Sequence, residues 1–199
     1  MALGFHDVAE KRGRQDHRRL RNIEQAIWPP SRRRFLPADF ARFASQRISG
    51  GRRGFEFITN SEYEHFFKFA VVRNPWDRVF SWYRNVIRDP FHQKELGISA
   101  DCSFVDFVED HLDCWALNPQ TDWLVNLNGE NALDYVGRFE TLQESFIHIC
   151  KKLGIEDTGL PNALHSGTSD FRSAYTEQTH DIVAAKYQDE IELFNYEFD

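Results

Sequence analysis

Long apolar runs are missing from this chain. No stretch approaches the roughly 18 consecutive apolar residues that a bilayer-crossing helix needs, which predicts no transmembrane segment. The opening residues, MALGFHDVAEKRGRQDHRR, lack the apolar h-region of a secretory signal, so the expected compartment is the cytoplasm. Cysteine is scarce. Cys102, Cys114 and Cys150 are odd in number and show no C-x-x-C spacing, which argues against a disulfide framework and against a zinc ribbon. His111 and Cys114 make an H-x-x-C pair, but no second pair completes a structural zinc set, so no metal is expected. The reading for the thiols is free and buried. Internal repeats and low-complexity tracts are absent as well.

What is present suits a folded domain. The 199 residues are 41% hydrophobic and include 18 Phe, 5 Trp and 6 Tyr, enough apolar area for one core, so a single domain over 1–199 is the expectation. Charge is unevenly spread. Residues 1–54 carry 13 Lys/Arg against 5 Asp/Glu, while residues 55–199 carry 11 against 26. A basic first quarter on an acidic body suits an anionic partner: a phosphate, an acidic or sulfated sugar, or nucleic acid. A solvated basic face balancing an acidic one is the other reading of the same numbers.

Along the chain, residues 1–27 read as helical up to the break at Pro29-Pro30. A short helix enters at Pro37, and SGGRRG (49–54) reads as a loop before a surface segment over 55–65. FFKFAVV (66–72) has the look of a buried parallel strand. Asn74 then offers an N-cap, Pro75 suits the first helical position and Asp77 adds negative charge to the first turn. Val79, Phe80, Tyr83, Val86 and Ile87 form one apolar face of that helix, with Arg78, Ser81, Asn85 and Arg88 off it, and it ends near Asp89-Pro90. A second amphipathic helix begins near Ser103. The strand-to-helix pattern repeats with a strand at Tyr135–Phe139, a T-x-x-E capping box at Thr141 and Glu144, and Leu142, Phe146, Ile149 and Leu153 on the core side up to Gly154. A last helix opens at Thr176 and packs through Ile182, Val183, Tyr187, Ile191 and Phe194. Alternating strands and helices predict an α/β fold with a mainly parallel sheet.

The stretch FKFAVVRNPWDRVFSWYRNVIRDP (67–90) carries the chemistry. A strand feeding a capped helix makes an anion site, because the N–H groups at the helix start and the helix dipole both favour negative charge. Arg73 stands at the carboxyl end of the strand, the edge where open α/β sheets bind ligands, and its planar fork takes two phosphate oxygens at once. Ser81 lies two helical turns further on, placed to donate to something along the polar face. Residue spacing leaves a second reading open, in which Arg73 pairs with Asp77 and Ser81 is solvated.

FAVVRNPWDRVFSWYR closely resembles the 3′-phosphate-binding segment of the sulfotransferases that use 3′-phosphoadenosine-5′-phosphosulfate (PAPS). NPQTDWL (118–124), VGRFETLQESF (136–146) and the C-terminal FRSAYT…IVAAKYQDEIELFNYEF resemble the branch that includes carbohydrate O-sulfotransferases and short bacterial members. The resemblance implies a P-loop-like three-layer fold, PAPS as co-substrate, a hydroxyl-bearing acceptor with a carbohydrate favoured, and Arg73 and Ser81 on the cofactor's 3′-phosphate. Sulfuryl transfer also needs a base. His17, in the basic stretch GRQDHRRLRN, matches the place where the family carries a histidine, and neighbouring Arg charges favour its neutral form. A solvated helix histidine is the alternative.

Arg138 ends its strand, from which it reaches either the cofactor site or a carboxylate such as Glu140. His165 and HSGTSDF resemble a segment that closes over the nucleotide, and Tyr175 reads as core rather than ligand. The family's opening strand and Lys-x-Gly-x-Thr/Ser loop for the 5′-phosphosulfate have no counterpart here, since Gly50-Gly51 follows Ser49 and not an apolar strand. The expectation is an N-terminally incomplete sheet, whose free edge would favour a homo-oligomer. Two functions remain open: a sulfotransferase, or a catalytically inactive module that binds a nucleotide or sulfated glycan. Nucleic acid is not expected, because the basic region interleaves few aromatics and forms no recognised module.

Overall fold

Four consecutive apolar residues, Phe69–Val72, form the strand β1, and the Asn-Pro pair after them starts a helix. This is the arrangement in a computed structural model that describes residues 19–27, 37–52, 57–157, 159–160 and 170–198. By packing, the chain divides into two units, Met1–Lys68 with Trp123–Ala132 and Phe69–Asp122 with Leu133–Asp199.

The first unit contains helices α1 (Leu20–Gln25), α2 (Pro37–Arg52) and α3 (Asn60–His65). Arg47 Nε of α2 donates to Ala26 O at 3.0 Å, just past α1, and its guanidinium lies 4.5 Å from the Phe57 ring centroid. The helix entered at Pro37 does form, but it continues through the segment read as a loop and ends at Arg52. Phe40 on it is 53% exposed. The surface segment over 55–65 also holds a helix that the sequence reading missed. Thr59 accepts from Glu62 N while Glu62 accepts from Thr59 N, a complete capping box at the start of α3.

In the second unit, β1 pairs in parallel with β2 (Tyr135–Arg138), in a register running from Phe69↔Tyr135 to Val72↔Arg138. Phe139 N extends the pairing by one bond to Val72 O, at 2.8 Å. With these strands come α4 (Pro75–Arg88), α5 (Pro90–Leu96), α6 (Phe104–His111), the single turn α7 (Thr121–Leu124), whose last two residues count with the first unit, α8 (Leu142–Leu153), α9 (Glu177–Lys186) and α10 (Gln188–Phe194). A mixed helix-and-strand unit with a small parallel sheet is α/β in class. Its core is built on the apolar face of α4: Val79 and Val86 are fully buried and pack with Phe104, Phe107, Val108, Leu112, Leu117, Val183 and Tyr187. Among the described residues, no helix is long and apolar enough to cross a membrane.

Three details depart from the sequence reading. Thr141 caps nothing with its side chain: its backbone sits at φ −119°, ψ 42°, outside the extended geometry of an N-cap, because the chain turns directly from β2 into α8. The core face of α8 is Ser145, Ile149 and Cys150, while Leu153 is 44% exposed. Gly137 explains why a serine faces the strand, since a Cβ there would meet Ser145 Oγ at 2.6 Å. The final helix is two helices, broken at Tyr187, whose buried hydroxyl donates to Leu117 O at 2.6 Å. The expected helix over 1–27 is seen as α1 alone, with residues 1–18 outside the described part.

Candidate functional site

The end of β1 delivers Arg73 to the first turns of α4, where its guanidinium meets two side chains at once. Nε donates to Asp77 Oδ2 at 2.7 Å and Nη1 donates to Ser81 Oγ at 3.0 Å. The spacing of four and eight residues puts both partners on one stripe of α4. The guanidinium also lies 4.3 Å from the Phe139 ring centroid, which supports it from the side of β2. Arg73 and Asp77 side chains are 23% and 24% exposed, so the group is packed on most sides yet open to solvent. Arg73 thus pairs with Asp77 as the second reading has it, but Ser81 is bonded to the guanidinium and not merely solvated.

The helix start is closed to anions, contrary to the sequence reading. Pro75 has no N–H, the amides of Trp76 and Asp77 go to Asn74 Oδ1 at 3.0 and 3.4 Å, and Arg78 N goes to Asn74 O at 2.8 Å. Asn74 N itself donates to Glu140 Oε1 at 2.6 Å. Asn74 is the N-cap that its position predicts, and it takes up the donors an anion would have used.

The main chain of Arg73 is fixed by a residue that spacing gives no hint of. Gln120 Oε1 accepts from Arg73 N at 2.9 Å, and Gln120 Nε2 donates to Arg73 O at 2.9 Å and to Glu190 Oε2 at 2.7 Å. Glu190 Oε1 accepts from Gln120 N as well, and Glu190 is 1% exposed. Partners 47 and 70 residues apart in sequence leave no local signature. The C-terminal residues reach the same place: Asn74 Nδ2 donates to Glu197 O at 2.7 Å, and Tyr196 OH donates to Glu140 Oε2 at 3.4 Å.

Arg138 does not pair with Glu140 as one of its two expectations has it. Its Nη2 donates to Phe194 O and its guanidinium lies 5.0 Å from the Tyr196 ring centroid, so it is engaged with the C-terminal segment and makes no ion pair with Glu140. Arg78, on the same helix as Ser81, is turned toward Asn118 O at 2.8 Å and the Tyr187 ring. Tyr175 is a core residue as read: its hydroxyl donates to Trp76 O at 2.8 Å, and burial pushes its ionisation well above the usual tyrosine range. His17 and His165 lie outside the described residues. All three cysteines are free, with Cys150 buried and the other two half-buried, and among the described residues no His/Cys/Asp/Glu group could hold a metal ion.

With this geometry in view, comparison with known proteins is specific. A profile described as "Sulfotransferase family" matches residues 47–197, a span that contains Arg73, Ser81, Gln120, Arg138 and Glu190. The chain belongs to the sulfotransferase family. It is also 31% identical over 97 residues to a protein of Archaeoglobus fulgidus described as "Uncharacterized protein", a match covering 48% of this chain and 73% of that one. No solved structure matches it.

Proposed function

We propose that this member of the sulfotransferase family moves a sulfuryl group from PAPS to a hydroxyl of an acceptor, with a carbohydrate as the favoured acceptor class. The observation that carries the reading is the Arg73–Ser81 bond. Ser81 Oγ accepts from the guanidinium, so its own proton is left to donate elsewhere, beside Nη2 of Arg73, which bonds no described residue. Two donors of different kinds, one of them charged, thereby stand side by side. That arrangement suits a phosphate monoester, whose oxygens take one bond from each. The residues fit the 3′-phosphate of the nucleotide, and Asp77 and Phe139 hold the guanidinium ready for it.

The bound nucleotide supplies an activated sulfuryl group on a phosphate leaving group. The chain supplies position and charge. Arg73 and Ser81 fix the nucleotide at its 3′ end, and Arg138 adds a second cation once it gives up Phe194 O. His17 is the base that takes the acceptor's proton, and the arginines next to it in sequence favour its neutral form. On this reading β1 and β2 belong to a P-loop-like three-layer fold that forms one domain over the chain.

The test is calorimetric titration with adenosine 3′,5′-bisphosphate and with AMP, on wild type and Arg73→Ala. Preference for the bisphosphate that disappears with Arg73 supports the reading, and equal affinity for both ligands in the wild type would sink it. Transfer of labelled sulfate to a panel of saccharides, lost in His17→Ala with nucleotide affinity kept, supports catalysis. Nucleotide binding without turnover on any acceptor would make the chain a binding module instead.

A further inference from the structure

We infer that Gln120, locked in place by Glu190, is a positioning residue for the Arg73 site. The inference rests on the reading of Arg73 and Ser81 as a 3′-phosphate grip. Successive residues of a strand turn their N–H and C=O to opposite edges. Val72 O faces β2, where it accepts from Phe139 N. Arg73 N and O therefore face the other edge, and there the Gln120 carboxamide takes both, in the manner of one more strand residue. A flexible amide does this well only if it is itself held. Glu190 holds it through two bonds, one from Gln120 N and one from Nε2.

A carboxylate that is 1% exposed is costly unless its lone pairs are used. Here both oxygens are spent on one residue. The consequence is directional: the Nε2 bond to Glu190 settles which end of the amide is the donor, so Oε1 meets Arg73 N and Nε2 meets Arg73 O. With the backbone of Arg73 clamped, the point from which its side chain reaches Asp77 and Ser81 is fixed.

The test compares affinities for adenosine 3′,5′-bisphosphate and AMP in wild type, Gln120→Met and the double variant Gln120→Met/Glu190→Gln. Methionine keeps the volume and loses both bonds to Arg73. The double variant strands no buried charge and keeps an acceptor for the residue-120 N–H, so it serves as the readout should the single variant fail to fold. We expect the bisphosphate preference to fall about tenfold in each, the equivalent of one to two hydrogen bonds, with AMP affinity held. A preference unchanged in both variants, or an equal weakening of both ligands, makes Gln120 merely structural and overturns the inference while leaving the grip intact. A wild type with no preference overturns the grip and the inference together.

Discussion

Arg73 and Ser81 stand eight residues apart and are joined at 3.0 Å, Nη1 to Oγ, along the polar stripe of α4. The bond orients both groups before any ligand arrives. Because a hydroxyl accepts and donates at once, the arginine fixes which way the serine's proton can point. Preorganisation of this kind lowers the ordering cost of binding.

Ser81→Ala removes one donor and leaves the guanidinium on Asp77. Affinity for adenosine 3′,5′-bisphosphate should fall by about tenfold or more, the range for a hydrogen bond to a charged group. AMP affinity and the melting temperature should not move, since Ser81 is half-buried and off the apolar face of α4. Loss of both ligands in equal measure would assign Ser81 to the fold.

Arg73→Lys keeps the charge and loses the fork. A lysine ammonium cannot bond Asp77 and Ser81 from two edges of a plane, nor stack on Phe139 in the same way. The bisphosphate preference should drop nearly as far as in Arg73→Ala. A lysine variant that binds like wild type would mean charge alone does the work.

Local chemistry made the centre of this site legible: an apolar strand, an Asn-Pro start and a serine on the polar stripe are all neighbours in sequence. The helix-start amides misled because Asn74, itself read correctly as a cap, consumes them. Gln120, Glu140 and Glu190 lie in segments that carry the family resemblance, but their partners were out of reach, since each meets its partner only after the chain has folded back over dozens of residues. The break at Tyr187 was hidden for a similar reason. The helical pattern runs through it unbroken, and a tertiary bond to Leu117 O accompanies the interruption.

Gly137→Ala should destabilise the second unit. A Cβ at 2.6 Å from Ser145 Oγ and 2.8 Å from its Cβ leaves no room, and Ser145 is itself 2% exposed against the strand. Overpacking of this sort costs about 1–3 kcal/mol, readable as a lower urea midpoint. Gly137→Ala/Ser145→Gly should recover part of the loss. A single variant as stable as wild type would mean that α8 shifts freely on the sheet.

Alkali should unfold the chain early. Burial, with the Glu24 charge second, pushes Tyr63 up to about 12, and burial likewise raises Tyr175, Tyr187 and Tyr196. In the unfolded chain these phenols ionise near pH 10. The unfolded state then binds fewer protons than the native one, so stability is whole below about pH 10 and falls as pH rises past it. Absorbance of tyrosinate should follow the loss of helical circular dichroism. Smooth ionisation of every tyrosine near pH 10 with the fold intact would contradict the burial.

Two threonines with the same sequence signature should behave differently. Thr59 and Glu62 form a reciprocal box, with Glu62 N to Thr59 Oγ1 at 3.2 Å and Thr59 N to Glu62 Oε2 at 2.7 Å. Thr141 and Glu144 have the same T-x-x-E spacing, but the tight exit from β2 denies Thr141 the extended backbone a cap requires. Thr59→Ala should therefore cost about 1 kcal/mol, and Thr141→Ala only a few tenths. The cost at Thr59 belongs to α3 alone, so amide exchange there should quicken while α8 keeps its protection. Equal costs at the two sites would show that Thr141 adopts the cap geometry in solution, and with it a different turn from β2 into α8.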